Sequence, residues 1–84
     1  MNTETLRLDL RAAADWINDN RPHQPMNDAG RLAGALVAAQ AAHPGNEQAA
    51  NAYMEQLLKH MPAINPVLSR AQYAADLHTH SWRI

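Results

Sequence analysis

The fold is decided by residues 28–42, which read DAGRLAGALVAAQAA. Beyond Arg31 this stretch carries no charge on any side, as is typical of a helix surrounded by protein. Small residues recur every four positions and form a ridge that lets another helix come close: Gly30, Gly34, Ala38 and Ala42. A glycine within a helix costs roughly 1 kcal/mol relative to alanine, so close packing is the expected compensation. We predict that the other helices, or a second subunit, enclose this helix.

Apolar residues at helical spacing predict three further helices, so that the four lie at about 4–20, 28–42, 47–61 and 66–80. Proline-containing segments separate them because proline cannot continue a helix. The sequence thus predicts an all-α fold, a compact bundle of four short helices that forms a single helical domain over residues 1–84.

The start of the fourth helix has two candidates. Asn65 can act as N-cap with Pro66 at the first helical position, where proline is favoured. Ser69 and Gln72 have the spacing of a capping box, which would start the helix later. We favour Asn65.

The composition predicts a core with few large side chains. The chain has 84 residues, of which 46% are hydrophobic, but 17 residues are alanine and none is phenylalanine or cysteine. Burial of alanine stabilises a fold far less than burial of leucine, and no disulfide can compensate. Association with a second copy, at Gly30, Gly34 and Ala38, or with a partner protein is therefore expected.

Charge and hydropathy argue against two classes of partner. Seven Lys and Arg against eight Asp and Glu give a net charge of −1, whereas proteins that bind phosphate backbones usually have a basic surplus. The longest uncharged run, residues 32–46, is too short to span a bilayer. The N-terminus lacks the basic start and apolar run of a signal peptide, so we expect a cytoplasmic protein without a membrane partner.

The five histidines are candidate metal ligands. His78 and His80 flank Thr79, and His60 lies elsewhere on the chain. Ligands on one helix are best placed three or four residues apart, and a spacing of two points them in different directions. Four histidines instead fall at predicted helix C-termini, where an imidazole can meet exposed carbonyls: His43, His60, His78 and His80. We predict no metal and no cofactor, and a His-based metal-binding protein is the third-ranked function.

Catalytic groups are equally scarce. The two serines, Ser69 and Ser81, lie in no nucleophile motif, and there is no cysteine. Asp15 and Asp19 lie one turn apart, but on the polar face of the first helix, where solvated carboxylates are ordinary. We predict that the protein is not an enzyme.

A helix-turn-helix-like nucleic-acid-binding protein is the alternative function. A recognition helix presents amide and basic side chains on one exposed face. The third helix has Asn51, Gln56 and Lys59, but Glu47 and Glu55 would face phosphate. A basic face is missing, so nucleic-acid binding is the second choice.

Protein binding is the first choice. Four large apolar residues lie at helix edges or near the end of the chain and are the predicted partner contacts: Leu8, Trp16, Trp82 and Ile84. Tryptophan is enriched among interface hot spots, although each tryptophan is equally consistent with packing on the core. We predict a small regulator or inhibitor that occludes a surface of another protein, as a monomer or homodimer. The size and composition are typical of bacteriophage and prophage accessory proteins, but no motif carries that resemblance.

Overall fold

The computed structural model describes residues 3–65 and 67–84, which form four α-helices. These are α1 (Thr3–Asp19), α2 (Asp28–Ala42), α3 (Glu47–Lys59) and α4 (Arg70–Ser81). No strand occurs among the described residues, and the predicted all-α bundle is confirmed. No helix in these ranges is both long enough and apolar enough to cross a membrane.

Helix α1, rather than α2, contacts all the others. It packs closely against α4 and α2 and also touches α3, whereas α3 packs mainly against α2. The prediction that α2 is enclosed is wrong for the single chain, because α1 and α3 cover only part of its circumference. Leu32 and Val37 on the remaining side of α2 are 46% and 37% exposed.

The core contains few large side chains, as the composition predicts. The apolar stripe of α1 is buried throughout, at Leu6, Leu10, Ala13, Ala14 and Ile17. The radius of gyration is 11.8 Å, close to the value of about 12 Å expected for a folded chain of this length. The chain therefore reaches ordinary compactness with a core rich in alanine.

Helix α4 begins later in the chain than predicted. Ser69 is its N-cap: the Ser69 hydroxyl accepts from the Gln72 N–H at 3.2 Å, and the Gln72 side chain accepts from the Ser69 N–H at 2.8 Å. The preference for Asn65 as cap is wrong, since its side chain accepts from the Val67 N–H in a separate turn. Pro66, the predicted first helical residue, lies outside the described residues.

The loop between α1 and α2 explains this start. The N–H of Arg70 donates to the Gln24 carbonyl at 2.9 Å, and the N–H of Ala71 donates to the Pro22 carbonyl at 3.0 Å. The first N–H groups of a helix have no acceptor within the helix. These long-range bonds and the capping box together satisfy the N-terminus of α4 when it begins after Ser69.

Replacement of Ser69 by alanine is expected to lower the free energy of unfolding by about 1 kcal/mol, because it removes the hydroxyl half of the capping box. Asn65→Ala is the matched control and should change stability by less than about 0.5 kcal/mol. Urea denaturation followed by circular dichroism measures both variants. A larger loss for Asn65→Ala would mean that Asn65 is the helix cap.

Candidate partner-binding surface

Two of the four predicted partner contacts are exposed. Leu8 on α1 is 57% exposed, and Trp82, directly after α4, is 61% exposed. Trp16 and Ile84 are half-buried and pack against the hydrophobic core. Leu8 and Trp82 are thus the members of the predicted set that a partner can reach most fully.

Trp82 lies in a hydrogen-bonded turn that continues α4. Its N–H donates to the Thr79 carbonyl at 3.3 Å, and the N–H of Arg83 donates to the His80 carbonyl at 3.0 Å. Ser81, just before the tryptophan, is completely buried. The backbone that carries the exposed indole is therefore fixed on both sides.

Two arginines of α1 hold this turn and flank the indole. Arg7 donates from Nε to the Ser81 carbonyl at 2.9 Å and from Nη2 to the backbone oxygen of Ile84 at 2.7 Å. The guanidinium carbon of Arg7 lies 5.7 Å from the centre of a Trp82 ring, and that of Arg11 lies 4.4 Å from it. Both contacts fall within the cation–π range of about 6 Å. The side chain of Trp82 is thus exposed to solvent but held in place by the two guanidinium groups.

Leu8 and Arg83 extend this region. Leu8 follows Arg7 in the chain and precedes Arg11 by one helical turn, and Arg83 is exposed next to Trp82. We refer to Arg7, Leu8, Arg11, Trp82 and Arg83 as the Trp82 surface. It combines two exposed apolar side chains with three guanidinium groups.

The two aspartates of α1 that lie closest in sequence to Arg7 and Arg11 are directed at other helices. Asp9 accepts a hydrogen bond from the Tyr53 hydroxyl on α3, and Asp15 contacts His78 Nε2 on α4 at 2.9 Å. Burial, followed by the hydrogen bond and the negative charge of Asp9, raises the pKa of Tyr53 far above its usual value of 10.0. Tyr53 consequently stays protonated and remains a donor to Asp9.

Four of the five histidines lie at helix C-termini, as the sequence predicts, and His23 lies in the loop between α1 and α2. His43 and His60 are the C-caps of α2 and α3, and His78 and His80 lie in the last turn of α4. Within residues 3–65 and 67–84, no group of three or more His, Asp or Glu side chains could hold a metal ion.

The residues predicted for self-association are buried within the single protomer. Gly30, Gly34 and Ala38 are all buried. A Cβ on Gly34 would lie 2.8 Å from Cδ1 of Ile17, and one on Gly30 would lie 3.1 Å from Nη2 of Arg70. At Gly34 and Gly30 the small-residue ridge therefore accommodates Ile17 of α1 and an arginine of α4.

Arg31 binds the C-terminus of α3, a role that sequence reasoning missed. It donates from Nη2 to the Leu58 carbonyl at 2.7 Å and to the Met61 carbonyl at 3.0 Å, and from Nε to the Pro62 carbonyl at 3.1 Å. The Tyr73 hydroxyl also donates to Pro62, at 2.7 Å. Burial raises the pKa of Tyr73, and the charge of Arg31 opposes that rise. The signal in the sequence was Arg31 itself, the last charged residue of a helix that carries no charge beyond it.

Arg70 plays the corresponding role at the C-terminus of α1. Its Nη1 donates to the Asn20 carbonyl at 2.9 Å, and its guanidinium occupies the space that the missing side chain of Gly30 leaves. Its Nε is buried and has no hydrogen-bond partner among the described residues. Two of the seven basic residues thus point inward at helix ends.

An open cleft of about 350 Å³ lies where α2 meets α3. The residues that line it are Gln40, His43, Gly45, Asn46, Glu47 and Ala50. The ring of His43 packs edge-on against Tyr53, with centroids 5.3 Å apart, and the Asn46 side chain accepts from the Ala49 N–H to cap α3. No serine or cysteine is among these lining residues, so the cleft has no hydroxyl or thiol nucleophile of its own.

The chain matches no protein-family model, and no curated protein or solved structure resembles it at a significant level.

Proposed function

We propose that this protein is a small protein-binding regulator that acts by covering a functional surface of its partner, and that the Trp82 surface makes the contact. The observation that carries the proposal is an indole that is 61% exposed but held in place by two arginines. A large side chain that is already ordered loses little conformational entropy on binding, which favours affinity.

The surroundings of the indole support the same reading. Leu8 offers a second exposed apolar side chain, and arginine and tryptophan are the residue types most enriched at interface hot spots. Partly exposed guanidinium groups around an apolar centre correspond to the polar rim of an ordinary interface.

The helix-turn-helix alternative has less support. The exposed side of α3 contains Asn51, Gln56 and Lys59, but Glu47 and Glu55 are exposed on the same helix. Carboxylates on a recognition helix oppose phosphate, and the net charge of the chain is −1.

Affinity capture from a lysate of the source organism, with three forms of the protein, tests the proposal. The wild type and the control Leu32→Ser, which alters an exposed apolar residue on α2, should retain the same partner protein. Trp82→Ala should lose it while keeping its helical circular dichroism, because the indole is largely outside the core. Identical captured proteins for all three forms, or capture of nucleic acid alone, would contradict the proposal.

A further inference from the structure

The basic side chains of this protein are unevenly distributed. Arg31 and Arg70 point at helix C-termini inside the fold. Three of the five remaining Lys and Arg residues belong to the Trp82 surface: Arg7, which binds the backbone of the turn after α4, and Arg11 and Arg83. In a chain with a net charge of −1, three of the seven Lys and Arg residues therefore belong to this surface.

The two aspartates of α1 nearest in sequence to Arg7 and Arg11 do not pair with these arginines. Asp9 and Asp15 contact Tyr53 and His78 on other helices. Neither Arg11 nor Arg83 forms an ion pair with a carboxylate in the described part of the chain.

Arg11 differs from Arg7 in the guanidinium N–H groups that it leaves available to a partner. Arg7 uses Nε and Nη2 on the backbone oxygens of Ser81 and Ile84. Arg11 lies over the Trp82 ring at 4.4 Å and makes no hydrogen bond within residues 3–65 and 67–84. A guanidinium stacked on an aromatic ring keeps its N–H groups at its edge, where a carboxylate can bind two of them at once.

We infer that the partner segment that binds the Trp82 surface is acidic: a stretch of another protein in which Asp or Glu side chains flank one apolar side chain. This inference rests on the proposed protein-binding function and specifies its partner. The apolar side chain packs between Trp82 and Leu8, and the carboxylates pair with Arg11 and Arg83. Oppositely charged surfaces also accelerate the encounter of the two proteins.

A phosphate backbone is a poorer fit to the same region. Binding to nucleic acid gains affinity from a track of cations that contacts many phosphates. Here two arginines lie over one indole, Arg83 follows it in the chain, and the exposed Leu8 lies on the helix that carries the two arginines. Tighter binding of single-stranded DNA than of an acidic peptide would therefore contradict the inference.

Selection of peptides from a random dodecapeptide library on the intact protein tests the inference. The enriched peptides should have a net negative charge around an apolar residue, and Trp82→Ala should not retain them. Basic or uncharged peptides that still require Trp82 would overturn the acidic assignment but not the protein-binding function. Failure to enrich any peptide that depends on Trp82 would overturn both.

A fluorescence titration with one enriched peptide then tests the role of charge. A Trp16→Phe background leaves Trp82 as the single tryptophan, so the signal reports its surface. Arg11→Gln should weaken binding about tenfold, whereas Lys59→Gln, which removes the same charge from α3, should change it less than about twofold. Affinity should also fall as salt increases. Equal effects of the two substitutions, or tighter binding of oligothymidine than of the peptide, would overturn the inference.

Discussion

Replacement of Gly34 by leucine is expected to destabilise the fold by about 3 kcal/mol or more, a large share of the roughly 4–12 kcal/mol available to a domain of this size. A Cβ at this position would already lie 2.8 Å from both Cγ1 and Cδ1 of Ile17 and 3.3 Å from the carbonyl oxygen of Ala13. The remaining carbons of leucine have no space, so α1 and α2 must separate. The melting temperature should fall by roughly 10–20 °C in thermal denaturation followed by circular dichroism.

Ala41→Leu is the matched control for this prediction. Ala41 lies on the same helix but is exposed, so the same added volume should be tolerated. The double variant Gly34→Leu with Ile17→Ala should be more stable than the sum of the two single losses predicts, because the shortened Ile17 side chain vacates the contested space. If Gly34→Leu were as stable as Ala41→Leu, α1 and α2 would not pack as closely as the structure indicates.

The ridge of α2 shows how far local sequence could go. Small residues four apart correctly predicted that a helix would approach closely, and Gly34 meets Ile17 of α1 there. The same pattern could not identify which helix approaches α2, since the spacing of residues within one helix does not determine which apolar stripe of another helix packs against it. Enclosure of α2 was therefore overestimated, and Leu32 and Val37 remain exposed.

The start of α4 shows a second limit of prediction from local sequence. Both the Asn65 and the Ser69 signals were visible in the sequence, and local preferences alone did not separate them. Carbonyl groups of Pro22 and Gln24 decide the matter by accepting the first N–H groups of α4 from a loop far away in the chain. A contact of that range depends on how α1 and α4 pack, which no capping pattern contains.

The candidate surface was predicted in part. Leu8 and Trp82 are predicted as large apolar residues at a helix edge and near the end of the chain, and both are exposed. The roles of Arg7 and Arg11 were missed, because an arginine on the solvent side of a helix is usually unremarkable. Their stacking on Trp82 arises only when the turn after α4 folds back onto α1.

Replacement of Arg31 by methionine is the second substitution expected to have a large effect, a loss of about 3 kcal/mol. It removes three charge-assisted hydrogen bonds and leaves the carbonyls of Leu58, Met61 and Pro62 without this donor in a half-buried site. Arg31→Lys keeps the charge but cannot reach three carbonyls with one ammonium group, so roughly half of the loss is expected. Urea denaturation gives the free energies.

Lys59→Met is the control, because it removes one positive charge from an exposed position at the end of α3 and should cost less than about 0.5 kcal/mol. Hydrogen exchange adds a local test. Amide protons in the last turn of α3 should exchange faster in Arg31→Lys than in the wild type, since the helix end loses its donors, while those of α1 should change little. Uniformly faster exchange over all four helices would instead indicate that Arg31 stabilises the whole fold through its charge. In urea denaturation, equal stability of Arg31→Met and the wild type would show that water satisfies the three carbonyls.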